Sequence, residues 1–162
     1  MPIEIERKFL LKNSKWRDQV NNGKEIKQGY LNSNANRTVR VRTKGKLGFM
    51  TVKSKTINAT RKEYEYEIPI QDAKELLLLC EQPLVEKVRF EIIHNQKIWE
   101  VDEFKGINEG LIVAEIELED EQEKIELPDW IGEEVTLNKK YYNSSLIANP
   151  YSKWESINKI EI

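Results

Sequence analysis

The sequence predicts a mainly β chain of the α+β class, with eight strands in an antiparallel sheet or barrel and a few flanking helices. Two observations carry this. Charged and apolar side chains alternate through most of the chain, and a strand sends successive side chains to opposite faces. The alternating segments are also punctuated by short turn-forming clusters, the spacing of hairpins rather than of long crossovers.

The first strand spans about 2–11, with Glu4, Glu6 and Lys8 on one face and Ile3, Ile5, Arg7 and Phe9 on the other. Ser14 is placed to cap a short helix to about Asn21. Strands follow near 26–32, 37–44 and 47–54, the last two joined at Lys44-Gly45-Lys46. A strand near 61–69 leads to Gln71-Asp72, which starts a helix through Ala73, Leu76, Leu77 and Cys80 that stops before Pro83. Strands near 85–94 and 97–104 meet at His94-Asn95-Gln96, a turn that assigns His94 no role. A longer connection from Lys105 to Gly110 precedes a strand near 111–119. The acidic stretch Glu119 to Glu126 reads as a solvated loop, and Pro128 and Trp130 as a loop or short turn. Asn138 caps a third helix through Tyr141, Tyr142, Leu146 and Ile147, ending at Asn149-Pro150.

The 162 residues suit one domain, 1–162. Charged residues make up 33% of the chain against 39% apolar, so many charges must lie on the surface or in a polar interior. A formal net charge of -2 argues against general nucleic-acid binding, which needs a basic excess. Cys80 is the only cysteine, which excludes an intrachain disulfide and a Cys-rich metal site. Neither a signal peptide nor an apolar run of spanning length is evident, so a soluble cytoplasmic protein is expected, with no membrane partner.

The charges form ladders. Arg40 and Arg42, then Arg61, Glu63, Glu65 and Glu67, then Lys87, Arg89 and Glu91 each occupy alternate positions. So do Glu100 with Asp102, and Glu115 with Glu117 and Glu119, while Lys53 ends the fourth strand. One reading places these faces in solvent, the ordinary arrangement of a half-buried antiparallel sheet. The other closes the strands into a barrel with the charges inside. Such a lumen must be wet and charge-compensated, because an unpaired buried ion is expensive. Arg and Lys bind phosphate oxygens, and carboxylates bind hard divalent cations. A lumen with both sets suits a polyphosphate–metal complex.

The ladders also occur in a recognisable order. Glu4-Ile5-Glu6-Arg7-Lys8 matches the ExExK signature of the CYTH superfamily, the triphosphate tunnel metalloenzymes. It is followed by QGYL at 28–31, VRVR at 39–42, TVK at 51–53, EYEYEIP at 63–69, EKVRF at 86–90, WEVDEF at 99–104 and LIVAEIEL at 111–118. PDWIGEEVT at 128–136 and KYYNSSL at 140–146 complete a resemblance that covers nearly the whole chain, and its length is that of compact bacterial stand-alone members.

The resemblance implies an eight-stranded antiparallel barrel holding a triphosphate in its lumen. Lys8, Arg40, Arg42, Lys53, Lys87 and Arg89 resemble the family's phosphate ligands, and Glu4, Glu6, Glu115 and Glu117 its metal carboxylates, for Mg²⁺ or Mn²⁺. Glu4, Glu6, Lys87 and Glu117 are expected to carry the chemistry. Glu63, Glu65, Glu100 and Asp102 match further acidic tunnel positions of undivided role. Tyr30 matches a tyrosine that faces the tunnel, and Lys140 a basic position usually held by Arg. Asn138 stands where the family commonly has Asp. The implied activity is metal-dependent hydrolysis of inorganic triphosphate. The alternatives are a nucleoside or thiamine triphosphatase, an adenylate cyclase-like enzyme, or a polyphosphate-binding module without turnover. The cyclase branch usually carries an HF-type motif, and the one histidine here sits in IIHNQK. A homodimer is compatible with apolar outer strand faces. Glu67, Glu91 and Glu119 are expected in solvent, Arg7 and Glu103 outside the ladders, and Trp99, Phe104 and Trp130 in packing roles.

Overall fold

In the computed structural model, residues 2–20 and 22–154 are described. Nine strands form one antiparallel sheet: β1 (Ile3–Leu11), β2 (Lys24–Asn32), β3 (Arg37–Lys44), β4 (Leu47–Ser54), β5 (Thr60–Ile68), β6 (Val85–His94), β7 (Lys97–Phe104), β8 (Ile112–Glu117) and β9 (Ile131–Glu134). The sheet runs β5-β4-β3-β2-β6-β7-β8-β1-β9, and pairing of β5 with β1 closes eight strands into a barrel. All eight expected strands are present, shifted by one to two residues at some ends.

β1 makes the closure possible. One edge pairs with β8 from Glu6 to Leu10. The other pairs with β5 at Ile3, Glu4 and Ile5, then with β9 at Phe9 and Leu11. β9 is not among the eight expected strands; the sequence places only Pro128 and Trp130, just before it, in a loop or short turn. Its four residues are too few for a periodic signal, and it exists because β1 extends beyond β5 and leaves an edge to cover.

Turn chemistry agrees with the expectation. Gly45 takes φ +58° between β3 and β4, and Asn95 and Gln96 both take positive φ between β6 and β7, as a two-residue hairpin turn requires. The helices are shorter than expected. Ser14 precedes a 3₁₀ helix over Lys15–Gln19 without a side-chain cap bond, and Asn21 lies outside the described residues. Helix α1 covers Ile70–Leu77, starting at Pro69 and ending before Cys80. The long helix expected from Asn138 is instead a 3₁₀ turn at Lys139–Tyr141 and helix α2 at Ser145–Ala148. Asn138 does cap, its side chain accepting from the Lys140 N–H, but Asn143, Ser144 and Ser145 favour caps over helix interiors. Among the described residues no helix is long and apolar enough to cross a membrane.

Three apolar clusters hold this frame. Outer-facing Phe9, Trp99 and Ile116 pack under Trp16, Leu118 and Trp130, so Trp99 and Trp130 are packing residues. Helix α1 covers β3 and β4 through Ala73 and Leu77; a Cβ on Gly48 would stand 2.7 Å from Ala73 Cβ, so glycine there permits the approach. The third cluster lies at one end of the barrel. There the inward series turn apolar: Lys8 gives way to Leu10, Lys87 to Val85, Asp102 to Phe104 and Glu115 to Val113. Tyr141, Leu146 and Trp154 from the C-terminal segment fill that end.

Candidate functional site

The charged ladders face inward. Register places Glu6 opposite Glu117, Lys8 opposite Glu115, Lys53 opposite Glu63, Arg89 opposite Asp102 and Glu4 opposite Arg61. Directly opposed residues share a face, so charges from six strands come to one side of the sheet. They enclose a cavity of about 210 Å³. Every expected phosphate ligand lines it: Lys8, Arg40, Arg42, Lys53, Lys87 and Arg89. So do all four expected metal carboxylates, Glu4, Glu6, Glu115 and Glu117, together with Tyr30, Glu63, Glu65 and Glu100.

The basic side of the lumen is built on β3, β4 and β6. Arg40 and Arg42 both reach Glu65, at 3.4 and 3.2 Å. The Nε–H groups of Arg40 and Arg42 are buried without a hydrogen-bond partner. Burial, then the neighbouring Arg40 and Arg89, pushes the Arg42 pKa down to about 10. Positive charge therefore exceeds what the local carboxylates offset. Lys87 is buried, donates to Asn143 Oδ1 at 3.0 Å and lies 2.9 Å from Asp102. Burial lowers its pKa to about 8 against the opposing pull of Asp102.

Asp102 has no exposure and sits behind the lining. It accepts from Arg89 with both oxygens, at 2.7 and 2.9 Å. The role left open for it is that of a counter-ion shared by Lys87 and Arg89. Glu100 also reaches Arg89, at 3.2 Å.

The acidic side lies on β1 and β8. Lys53 Nζ stands 3.3 Å from both oxygens of Glu4, and Arg61 Nε donates to Glu4 at 3.1 Å. Burial opposes the charge on Glu4, but Lys53, a hydrogen bond shared with Glu63 and Arg61 hold its carboxyl well below the usual range. Burial, then Glu115 and Glu4, raises Glu6. Burial, then Glu4 and Glu100, raises Glu117. Against burial, Lys8, Arg89, Lys87 and a hydrogen bond from Glu6 keep Glu115 ionised.

This all-oxygen donor set, in which burial and then the neighbouring carboxylates raise the Glu6 pKa, fits a hard divalent cation. The fit is one of donor chemistry. Among the described residues no three carboxyl groups stand as a ligand cluster, and Glu4 is paired with Lys53 and Arg61.

Several residues fall elsewhere than expected or were missed. Lys140 does not line the cavity; its Nζ lies over the Trp154 ring at 4.5 Å. His94, given no role, is half-buried at the end of β6. Arg7 pairs with Glu134 and Glu103 with Arg17, both outside the lumen as expected. Arg61 and Lys44 also line the cavity, and their two-residue spacing from Glu63 and Arg42 was the signal for both. Tyr142 and Asn143 line it from the C-terminal segment, where no periodicity marks them.

The CYTH domain family profile matches residues 2–149. An inorganic triphosphatase of Acetivibrio thermocellus is 44% identical over 156 residues, covering 96% of this chain and 99% of that one. An inorganic triphosphatase of Nitrosomonas europaea is 35% identical over 147 residues, covering 88% and 95%. A solved structure of an inorganic triphosphatase superposes with a TM-score of 0.64 at 34% identity, covering 89% of this chain and 93% of that one.

Proposed function

The chain belongs to the CYTH domain family, and from that premise we propose that it hydrolyses inorganic triphosphate to pyrophosphate and phosphate inside the barrel. The observation that carries this is the cationic wall: Arg40 and Arg42 share one carboxylate, Glu65, each buries an Nε–H without a protein partner, and burial, then Arg40 and Arg89, lowers the Arg42 pKa. A polyanion of small cross-section relieves each. Two relatives of nearly full-length coverage carry the same activity in their names.

Lys8, Arg40, Arg42, Lys53, Lys87 and Arg89 bind the phosphate oxygens and offset the charge that develops in phosphoryl transfer. Glu4, Glu6, Glu115 and Glu117 are the carboxylates that would hold a divalent cation of the Mg²⁺ or Mn²⁺ kind, which would supply Lewis acidity and acidify water there. Burial lowers the Lys87 pKa to about 8, so its ammonium binds phosphate at neutral pH and gives up a proton more readily than an ordinary lysine. Glu4 and Glu63 both pair with Lys53, at 3.3 and 3.1 Å, and fix its ammonium in the cavity lining. One continuous sheet and the family match over 2–149 support reading the chain as a single domain. We place it in the cytoplasm, with a free triphosphate as its partner.

The test is phosphate release from tripolyphosphate, ATP, thiamine triphosphate and pyrophosphate, each with Mg²⁺, Mn²⁺ or EDTA. Metal-dependent release from tripolyphosphate, well above ATP, is the expected result. Faster turnover of ATP or thiamine triphosphate would replace the substrate assignment, and no turnover of any with tripolyphosphate still bound would make the barrel a receptor.

A further inference from the structure

Lys8 and Lys87 stand on strands that do not touch. β8 and β7 lie between β1 and β6 in the barrel wall. Yet three consecutive residues of the C-terminal segment contact both ammonium groups. Lys8 Nζ donates to the Tyr141 carbonyl at 3.2 Å and lies 5.7 Å from the Tyr142 ring centroid. Lys87 Nζ donates to Asn143 Oδ1 at 3.0 Å.

The segment is held firmly. Tyr141 is buried and packs edge-on against Trp154 at 5.2 Å. The Asn143 carbonyl accepts from the Leu146 N–H, and Leu146 has no solvent exposure. The position of Asn143 is thus set by the apolar plug, not by the lysine it touches.

We propose that Asn143 is a positioning residue, which aims the Lys87 ammonium and, with the Tyr141 carbonyl, sets the spacing of the two lysines along the bound triphosphate. The inference rests on the triphosphatase reading above. An ammonium has three donor directions and no acceptor. Asp102 and Asn143 take two of those of Lys87, so the third is determined and turns to the cavity that Lys87 lines. Charge compensation is not the task of Asn143, because Asp102 at 2.9 Å already provides it. A carboxamide adds direction without neutralising the charge that phosphate must meet, whereas a carboxylate at 143 would compete with substrate for the same ammonium.

The experiment compares Asn143→Ala and Asn143→Asp with the wild-type chain. It reads kcat and KM for tripolyphosphate across pH, and metal-free tripolyphosphate binding by calorimetry. Misaiming a reacting group by about an ångström costs on the order of a hundredfold, so Asn143→Ala should lose about ten- to hundredfold in kcat with a smaller change in KM. Asn143→Asp keeps the acceptor, so its kcat should stay within several-fold of wild type. Its KM should rise, and the alkaline limb of its pH profile should move upward. Wild-type kcat and affinity in both variants would overturn the proposal, as would equal losses of kcat in both. Loss of fold in Asn143→Ala leaves Asn143→Asp to decide. If the wild-type chain binds tripolyphosphate without hydrolysing it, the triphosphatase reading fails while the calorimetric affinities still judge Asn143.

Discussion

Asp102 grips Arg89 with both carboxylate oxygens, at 2.7 and 2.9 Å, from the directly opposed position on the neighbouring strand. The same carboxylate stands 2.9 Å from Lys87. One fully buried anion therefore orients two cations of the lumen. Asp102→Ala would leave both with reduced compensation in a place water hardly reaches. The expected cost is about 3–5 kcal/mol of folding stability, measured by urea unfolding. Tripolyphosphate should recover part of that loss, by restoring negative charge beside the two cations.

Glu4→Gln and Glu117→Gln are expected to cut turnover by about a hundredfold or more, since each removes a charged metal ligand. Binding should survive or tighten, because Lys53, 3.3 Å from Glu4, would lose a competing carboxylate. Steady-state kinetics and calorimetry separate the two effects. Near-normal turnover in both variants would sink the metal assignment.

Lys87 has its pKa lowered by burial to about 8, against 10.5 for an ordinary lysine. Between those values the unfolded chain binds the proton and the folded chain does not. Its contribution to stability is therefore unfavourable below about pH 8 and is relieved as pH rises towards 10.5. Substrate binding runs the opposite way, because the deprotonated amine no longer attracts phosphate. KM for tripolyphosphate should rise above about pH 8, and Lys87→Met should abolish that rise.

Tripolyphosphate should raise the thermal midpoint even without metal, since the cationic wall exists without it. At a hundred times Kd the gain is about 2.7 kcal/mol. The shift should shrink at high salt and in an Arg40→Ala, Arg42→Ala double variant. Equal shifts with and without those arginines would place the anion elsewhere.

Much of this protein was legible because a strand repeats every two residues. Glu4, Glu6 and Lys8 must share a face, and so must Arg40 with Arg42 and Glu115 with Glu117. Gly45 and the Asn95-Gln96 pair marked hairpins for the same local reason, since turn geometry is decided by a few adjacent dihedrals. Ten expected site residues line one cavity, nine of them because they belong to such a ladder and Lys53 by ending the fourth strand on the same face.

Period two says which residues share a face, but not whether that face looks inward. For that the sequence relied on motif order, whereas in the structure the pairing of Ile3–Ile5 with Thr60–Lys62 closes the wall around the charges. The same long-range fact creates β9, which needs the free edge of β1 to pair with. Asp102 looked like any other ladder carboxylate until the fold set it between Lys87 and Arg89 with no solvent. Asn143 carries no period at all. It reaches Lys87 across 56 residues of chain because the apolar end of the lumen draws Tyr141 and Leu146 inward and brings the residue between them against the ammonium. Local preference wrote the strands and turns; which charges meet was decided by closure and by burial, both of which depend on residues far apart in the chain.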